Sequence, residues 1–180
     1  MTVELVQQRK GKKVGSDEWF TSAETLAWSL SKLPSANRPR VQQYDLDPAA
    51  CDEAHCAPIY YTKETNGLVQ PWWGHVWINP PFSDIRPWVE RAWFATTEWN
   101  PKNWATSVSI LSPAVRMEQR WWQELIEPFR DGRARGEFQP IITTHFTPRR
   151  VNFAYPGSGG KVKQGATFGC VLTIFQRFTY

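Results

Sequence analysis

Asn79-Pro80-Pro81-Phe82 is the stretch of this sequence with the clearest chemical capacity. Two adjacent prolines fix φ and carry no N–H donors, which forces an extended, rigid turn. Their carbonyls cannot be drawn into a helix, so they are expected to stay available as hydrogen-bond acceptors. Asn79 adds a side-chain carbonyl oxygen as a further acceptor. Phe82 offers a ring face for a planar group. Two acceptors so placed can grip both hydrogens of an aromatic amine, whose lone pair is otherwise delocalised into its ring. Held this way the nitrogen is drawn toward tetrahedral geometry and its lone pair is localised. It could then displace a methyl group in line from a sulfonium, with positioning and fixed dipoles lowering the barrier. No metal and no covalent intermediate is required. The bland alternative is an ordinary Pro-Pro loop that follows an asparagine.

The elements flanking the tetrapeptide favour the chemical reading. His75 to Ile78 (HVWI) is apolar and β-prone and runs directly into it. After it, Ile85, Trp88, Val89, Ala92 and Trp93 recur at the spacing of one buried helix face. Ser83 or Asp84 can cap that helix, and Pro87 is tolerated in its first turn. Upstream, Thr21 with Glu24 fits a capping box for a helix from Ser22 to Lys32, ended by Pro34. Arg40 to Leu46 and Pro58 to Tyr61 are expected strands, the first closing at Asp45-Leu46-Asp47-Pro48. Downstream, Thr106 to Leu111 reads as a buried strand stopped by Ser112-Pro113, and Arg116 to Ile126 as a helix carrying Trp121 and Trp122. Strand-like pieces follow at Ile141 to Phe146, Val151 to Ala154 and Thr167 to Phe175, with a flexible glycine-rich loop at Gly157 to Lys161. Strands alternating with helices, then closely spaced strands, predict an α/β fold: a mainly parallel sheet with a C-terminal antiparallel hairpin. Ligands in such sheets bind at the carboxyl ends of the strands. The Asp45–Pro48 and Asn79–Phe82 segments would both lie there, in one crevice.

The 180 residues fit one domain, read as a basic tail over 1–16 and a single domain over 17–180. Hydrophobic residues at 41% and charged residues at 21% speak against a disordered or fibrous chain. A net charge of +4 suits a polyanionic partner. No apolar run approaches the ~20 residues of a membrane-spanning helix. Met1 to Val14 is polar and basic, unlike a secretory signal. Three cysteines, an odd number, speak for a reducing cytoplasm rather than a disulfide framework. Cys51, His55, Cys56 and His75 match no standard zinc spacing, so no metal is expected.

Four segments in order resemble the phage-type DNA N6-adenine methyltransferases: Asp17 to Ser22, Tyr44 to Ala50, Gly67 to Phe82, and Arg150-Val151-Asn152-Phe153. The resemblance covers most of the chain from about Asp17 and implies a compact Rossmann-like methyltransferase sheet. It also implies S-adenosyl-L-methionine as cofactor and the adenine N6 amine in DNA as acceptor, with Asn79, Pro80, Pro81 and Phe82 catalytic. An amine paired inside a duplex must be flipped out, and Phe82 would hold it by stacking. For the cofactor, the resemblance implies Phe20-Thr21 near the methionine end and Asp45, Asp47 and Pro48 at an acidic strand end. Asn66 would face the cofactor's adenine. Ser22 replaces the usual proline, Asn66 stands where aspartate is common, and Ala49-Ala50-Cys51-Asp52 lacks the glycine-rich turn of larger methyltransferases. A bacterial host cytoplasm and a phage or prophage origin are implied as well.

DNA contact is expected from Arg116, Arg149, Arg150, Lys161 and Lys163, which would flank the crevice, with Arg149-Arg150 preferred. Two other readings stay open. One is a non-catalytic nucleic-acid-binding module on the same fold, suggested by the glycine-free cofactor turn. The other is methylation of a different amine, cytosine N4 or RNA adenine.

Overall fold

The computed structural model describes residues 20–34, 41–97, 104–133, 139–154, 166 and 168–177. The expected basic tail, the glycine-rich loop, Lys161 and Lys163 lie outside the described residues. In chain order the elements are β1 (Phe20–Thr21), α1 (Ala23–Leu30), β2 (Leu46–Asp47), β3 (Ile59–Tyr60), β4 (Gly74–Ile78) and α2 (Arg86–Thr97). They continue with β5 (Ala105–Pro113), a 3-10 turn (Ala114–Arg116), α3 (Arg120–Leu125), β6 (Ile141–Phe146), β7 (Phe153–Ala154) and β8 (Cys170–Gln176).

Six strands form one sheet in the order β3-β2-β4-β5-β8-β6. Neighbours from β3 to β5 are parallel, whereas β8 runs antiparallel to both β5 and β6. β6 therefore points the same way as β5. The mainly parallel sheet with a C-terminal antiparallel pair is the arrangement the sequence predicts. Side chains alternate between the faces with the period of two that strands impose. Val76, Ile78, Val108, Ile110, Val171 and Phe175 join Val89 and Ala92 of α2 and Trp121 and Trp122 of α3 in one core. Trp77, Leu111, Leu172 and Ile174 join Tyr44 in the other, against which Leu26, Trp28 and Leu30 of α1 pack. Both faces of β4 and β5 are thus covered, which explains their near-continuous apolar runs.

Several boundaries differ from the sequence-based expectations for identifiable reasons. Ser22, not Thr21, caps α1: its hydroxyl accepts the Thr25 N–H at 3.3 Å, while Thr21 is held in β1. The strand expected from Arg40 shrinks to Leu46–Asp47. Asp45 meets β4 with its side chain, Oδ2 accepting the His75 N–H at 2.7 Å, and Pro48 ends the strand by lacking an N–H. α2 begins at Arg86, after a turn through Ser83 and Asp84, so neither of these stands next to its first residue. The helix expected over 116–126 splits. Ala114 N–H is tied to Gly169 O at 2.9 Å, which keeps the 3-10 turn on the end of the sheet, and extended Gln119 starts α3 anew. β7 leaves the main sheet and pairs antiparallel with β1, Phe20 opposite Ala154 and Thr21 opposite Phe153. Among the described residues no helix is long and apolar enough to cross a membrane.

Candidate active site

β4 ends at Ile78, in register with Ile110 of β5, and Leu46 of β2 lies opposite Val76. The segments after β2 and β4 therefore leave adjacent strands at their carboxyl ends, so Asp47-Pro48 and Asn79-Pro80-Pro81-Phe82 share one rim. β6 also ends on this rim, placing Arg149 and Arg150 beside it. Arg116 closes the turn after β5. β1 follows suit through its pairing with β7, which belongs to the long connection from β6 to β8.

Within the tetrapeptide, Asn79 Oδ1 and Pro80 are buried, and Pro81 and Phe82 are half-buried. Asn79 lies on the same side of the sheet as Trp77, two residues back in the pleat. The Pro81 carbonyl accepts the Asp84 N–H at 3.2 Å. This corrects the expectation that both proline carbonyls stay available: the second is spent on the turn toward α2. The Pro80 carbonyl is the backbone oxygen next to Asn79. The Phe82 ring meets Phe153 and Phe168 edge-on, with centroids 6.2 and 6.1 Å apart, so its orientation is fixed by two aromatic partners.

Asp47 is buried, and both carboxylate oxygens are engaged. Oδ1 accepts the Ala49 N–H at 3.2 Å and Oδ2 the Cys56 N–H at 3.0 Å. Burial pushes its pKa up to about 6, against the opposing pull of those two N–H groups. The Cys56 side chain lies between this carboxylate and the Thr21 hydroxyl, hydrogen-bonded with each. Burial raises the Cys56 thiol well above its ordinary range, so it is a neutral link and not a nucleophile. Thr21, Cys56 and Asp47 thereby connect β1 to the turn after β2. That link was missed in the sequence, where Cys56 was weighed only as a metal ligand.

Asp45 engages the neighbouring strand. Its carboxylate accepts the His75 N–H and lies against Gly74, at the amino end of β4 and away from the rim. These contacts set β2 against β4. Asn66 is exposed with φ of 53°, and its side chain accepts the Leu68 N–H at 3.3 Å in a local turn. The following Gly67 brings that turn onto the Asp47-Pro48 segment, because any Cβ there would run into the Pro48 carbonyl. Arg149 is exposed and makes a 3.4 Å ion pair with Glu24 of α1, Arg150 is exposed, and Arg116 is half-buried.

The family model described as DNA N-6-adenine-methyltransferase (Dam) matches residues 10–179 of this chain. A DNA N-6-adenine-methyltransferase of Escherichia phage T1 is 38% identical over 79 residues, 42% of this chain and 29% of that protein. The match thus spans less than a third of that relative's length. A solved structure from Pyrococcus horikoshii, provisionally described as an RNA methyltransferase, aligns with 87% of this chain and 98% of its own. Its TM-score is 0.41 at 12% identity, a likeness on which nothing is built. With the family model running over nearly the whole sequence, the chain belongs to the DNA N-6-adenine-methyltransferase (Dam) family.

Proposed function

We propose that this chain transfers a methyl group from S-adenosyl-L-methionine to the N6 amine of an adenine flipped out of DNA. The observation that carries the reading is the seat of Asn79-Pro80-Pro81-Phe82 at the carboxyl end of β4, beside the Asp47-Pro48 turn of β2. S-adenosyl-L-methionine supplies, when bound, an electrophilic methyl on a sulfonium. The rim fits such a ligand in charge. Asp47, Asp52 and Glu53 lie in and after β2, while Arg116, Arg149 and Arg150 follow β5 and β6. A cationic donor suits the first end and a polyanion the second.

Asn79 Oδ1 and the Pro80 carbonyl accept the two amine hydrogens, which localises the nitrogen lone pair and orients it. Phe82, steadied by Phe153 and Phe168, holds the base plane. Phe20, Thr21, Pro48 and Asn66 are proposed as walls of the cofactor end. Asp47 acts there by shaping the turn, since its oxygens are committed to backbone N–H groups. Arg116, Arg149 and Arg150 are proposed to contact phosphates, with Lys161 and Lys163 retained from the sequence. Host or phage DNA in a bacterial cytoplasm is the proposed setting.

Incubation with duplex DNA and methyl-labelled cofactor, followed by mass spectrometry of the nucleosides, tests this directly. Label is expected in N6-methyladenine. Label in N4-methylcytosine, or in RNA alone, would reassign the acceptor. No label, together with no cofactor binding by calorimetry, would favour a binding module. Asn79→Ala should lower kcat/KM by about 10² or more, the scale of one preorganised polar group, with cofactor affinity unchanged. Near-normal turnover in that variant would remove the tetrapeptide from the chemistry.

A further inference from the structure

Among the described residues, the rim next to β4 carries an exposed apolar side chain that the transfer chemistry does not use. β5 continues three residues past Ile110, the partner of Ile78, to Pro113, and the 3-10 turn Ala114–Arg116 extends it. Asn79 is level with Leu111, so the turn stands above it by roughly 10 Å at the rise of a strand. At its tip Val115 is 61% exposed. The turn is held at both ends, by Ala114 N–H to Gly169 O at 2.9 Å and by Gln119 N–H to Arg116 O at 3.2 Å. Buried Pro113 stiffens its approach.

The other exposed large apolar side chains among the described residues belong to other segments. Trp73 precedes the amino end of β4, Phe94 is on α2, and Ile59 is on the edge strand β3. Val69 belongs to the segment on the cofactor side, and Phe146 ends β6, two strands away from β5. Phe82, the ring of the tetrapeptide, is engaged with Phe153 and Phe168. Arg116 adjoins Val115 in sequence, and Arg149 and Arg150 leave the same rim, a combination that suits an apolar tip carried against a polyanion. Glu118 is the nearby opposing charge, exposed just beyond the turn.

We infer that Val115 enters the base stack of duplex DNA and fills the place left by the extruded adenine. This rests on the proposed methyl transfer to a flipped base. Extrusion costs unpairing and unstacking, and an apolar side chain in the vacated step offsets part of that cost. A tip above a recessed acceptor pair is the geometry such a division requires: the side chain stays in the helix while the base descends to Asn79.

The test uses a duplex carrying the site found by the labelling experiment, with the target adenine opposite either thymine or an abasic residue. Val115→Ser should lower kcat/KM roughly tenfold on the paired target and recover to near the wild-type value opposite the abasic residue, where unpairing is already done. Cofactor affinity by calorimetry should not change. Val115→Leu, which keeps an apolar wedge, should retain activity on both. Equal losses of Val115→Ser on both duplexes, or no loss on either, would overturn the inference while leaving the methyl-transfer reading intact. Failure of that reading shows earlier, as absence of any labelled site.

Discussion

Asp47 shows how a side chain legible in position can carry structural work that the sequence does not display. The sequence marks it as a carboxylate at a strand end, where a cofactor's hydroxyls or ammonium would be met. In the structure it is 4% exposed and organises the 47–56 turn through two backbone N–H groups. The energetics follow from its raised pKa. A folded-state value of about 6 against an ordinary 3.8 means that the folded protein holds this proton more tightly than the unfolded chain. The stabilisation is full below the lower value and is lost as pH rises through the higher one, by an amount of order 3 kcal/mol. Asp47→Asn removes the titration but leaves only one oxygen for two N–H groups, at a cost of about 1–3 kcal/mol. Urea midpoints across the range from about pH 4 to about pH 7 separate the two effects. The wild type should lose stability across that window through this group, and the variant should show a flatter profile. Identical slopes would mean that the carboxyl ionises at its ordinary value. Replacements at Thr21 or Cys56 act on the same turn and are not independent of this one.

At the scale of elements, the turn at Asn66-Gly67 carries a steric demand that the tetrapeptide does not. Gly67→Ala places a methyl against the Pro48 carbonyl, backbone against backbone, and neither side can swing away. A loss of about 2–3 kcal/mol is expected, read as a lower urea midpoint at unchanged slope, together with weaker cofactor binding. Gly169→Ala is the control: nothing lies within 4 Å of the added carbon, and a change within about 0.5 kcal/mol is expected. Elements of this chain were legible where the signal was local. β4 runs into two prolines, β6 matches its predicted bounds, and α2 with the residue before it shows the buried stripe at Ile85, Val89 and Ala92. Illegible elements were those made by distant pairing. β1 and β7 are two residues each, too short for any periodicity, and exist because each is the other's partner. The same holds for Arg177, whose guanidinium donates to Ala95 O and Ala105 O while stacking on Trp104. In sequence it is one more surface charge. At the site, the position of the turn after β4 could be read, whereas the Phe153 and Phe168 supports of Phe82 and the Thr21–Cys56–Asp47 link could not.

Across the whole molecule the carboxyl rim is polarised along the sheet, and β4 stands where the two ends meet. Acidic side chains follow β2, arginines follow β5 and β6, and the Asn79-Pro80 turn lies between them. This ordering is a consequence of topology: β8 is inserted antiparallel, so the chain after β6 emerges on the same rim as β4 and β5. Arg149 and Arg150 then stand on the rim at a distance from the Asn79-Pro80 turn that the intervening strands set. Arg149 is not idle in the free protein, since it pairs with Glu24, but both groups are largely exposed and such a pair contributes little. A DNA phosphate can therefore replace Glu24 at small cost. Replacing Arg149 and Arg150 together by alanine should weaken duplex binding and reduce the slope of log K against log salt by about 2, near 0.9 for each lost phosphate contact. Fluorescence anisotropy of a labelled duplex at several salt concentrations gives that slope. The prediction is specific to geometry, because the sequence of the duplex should not matter to residues that neutralise phosphates and read no base, the role proposed for this pair. A slope equal to that of the wild type would take both arginines off the DNA path and move the polyanion to another part of the rim.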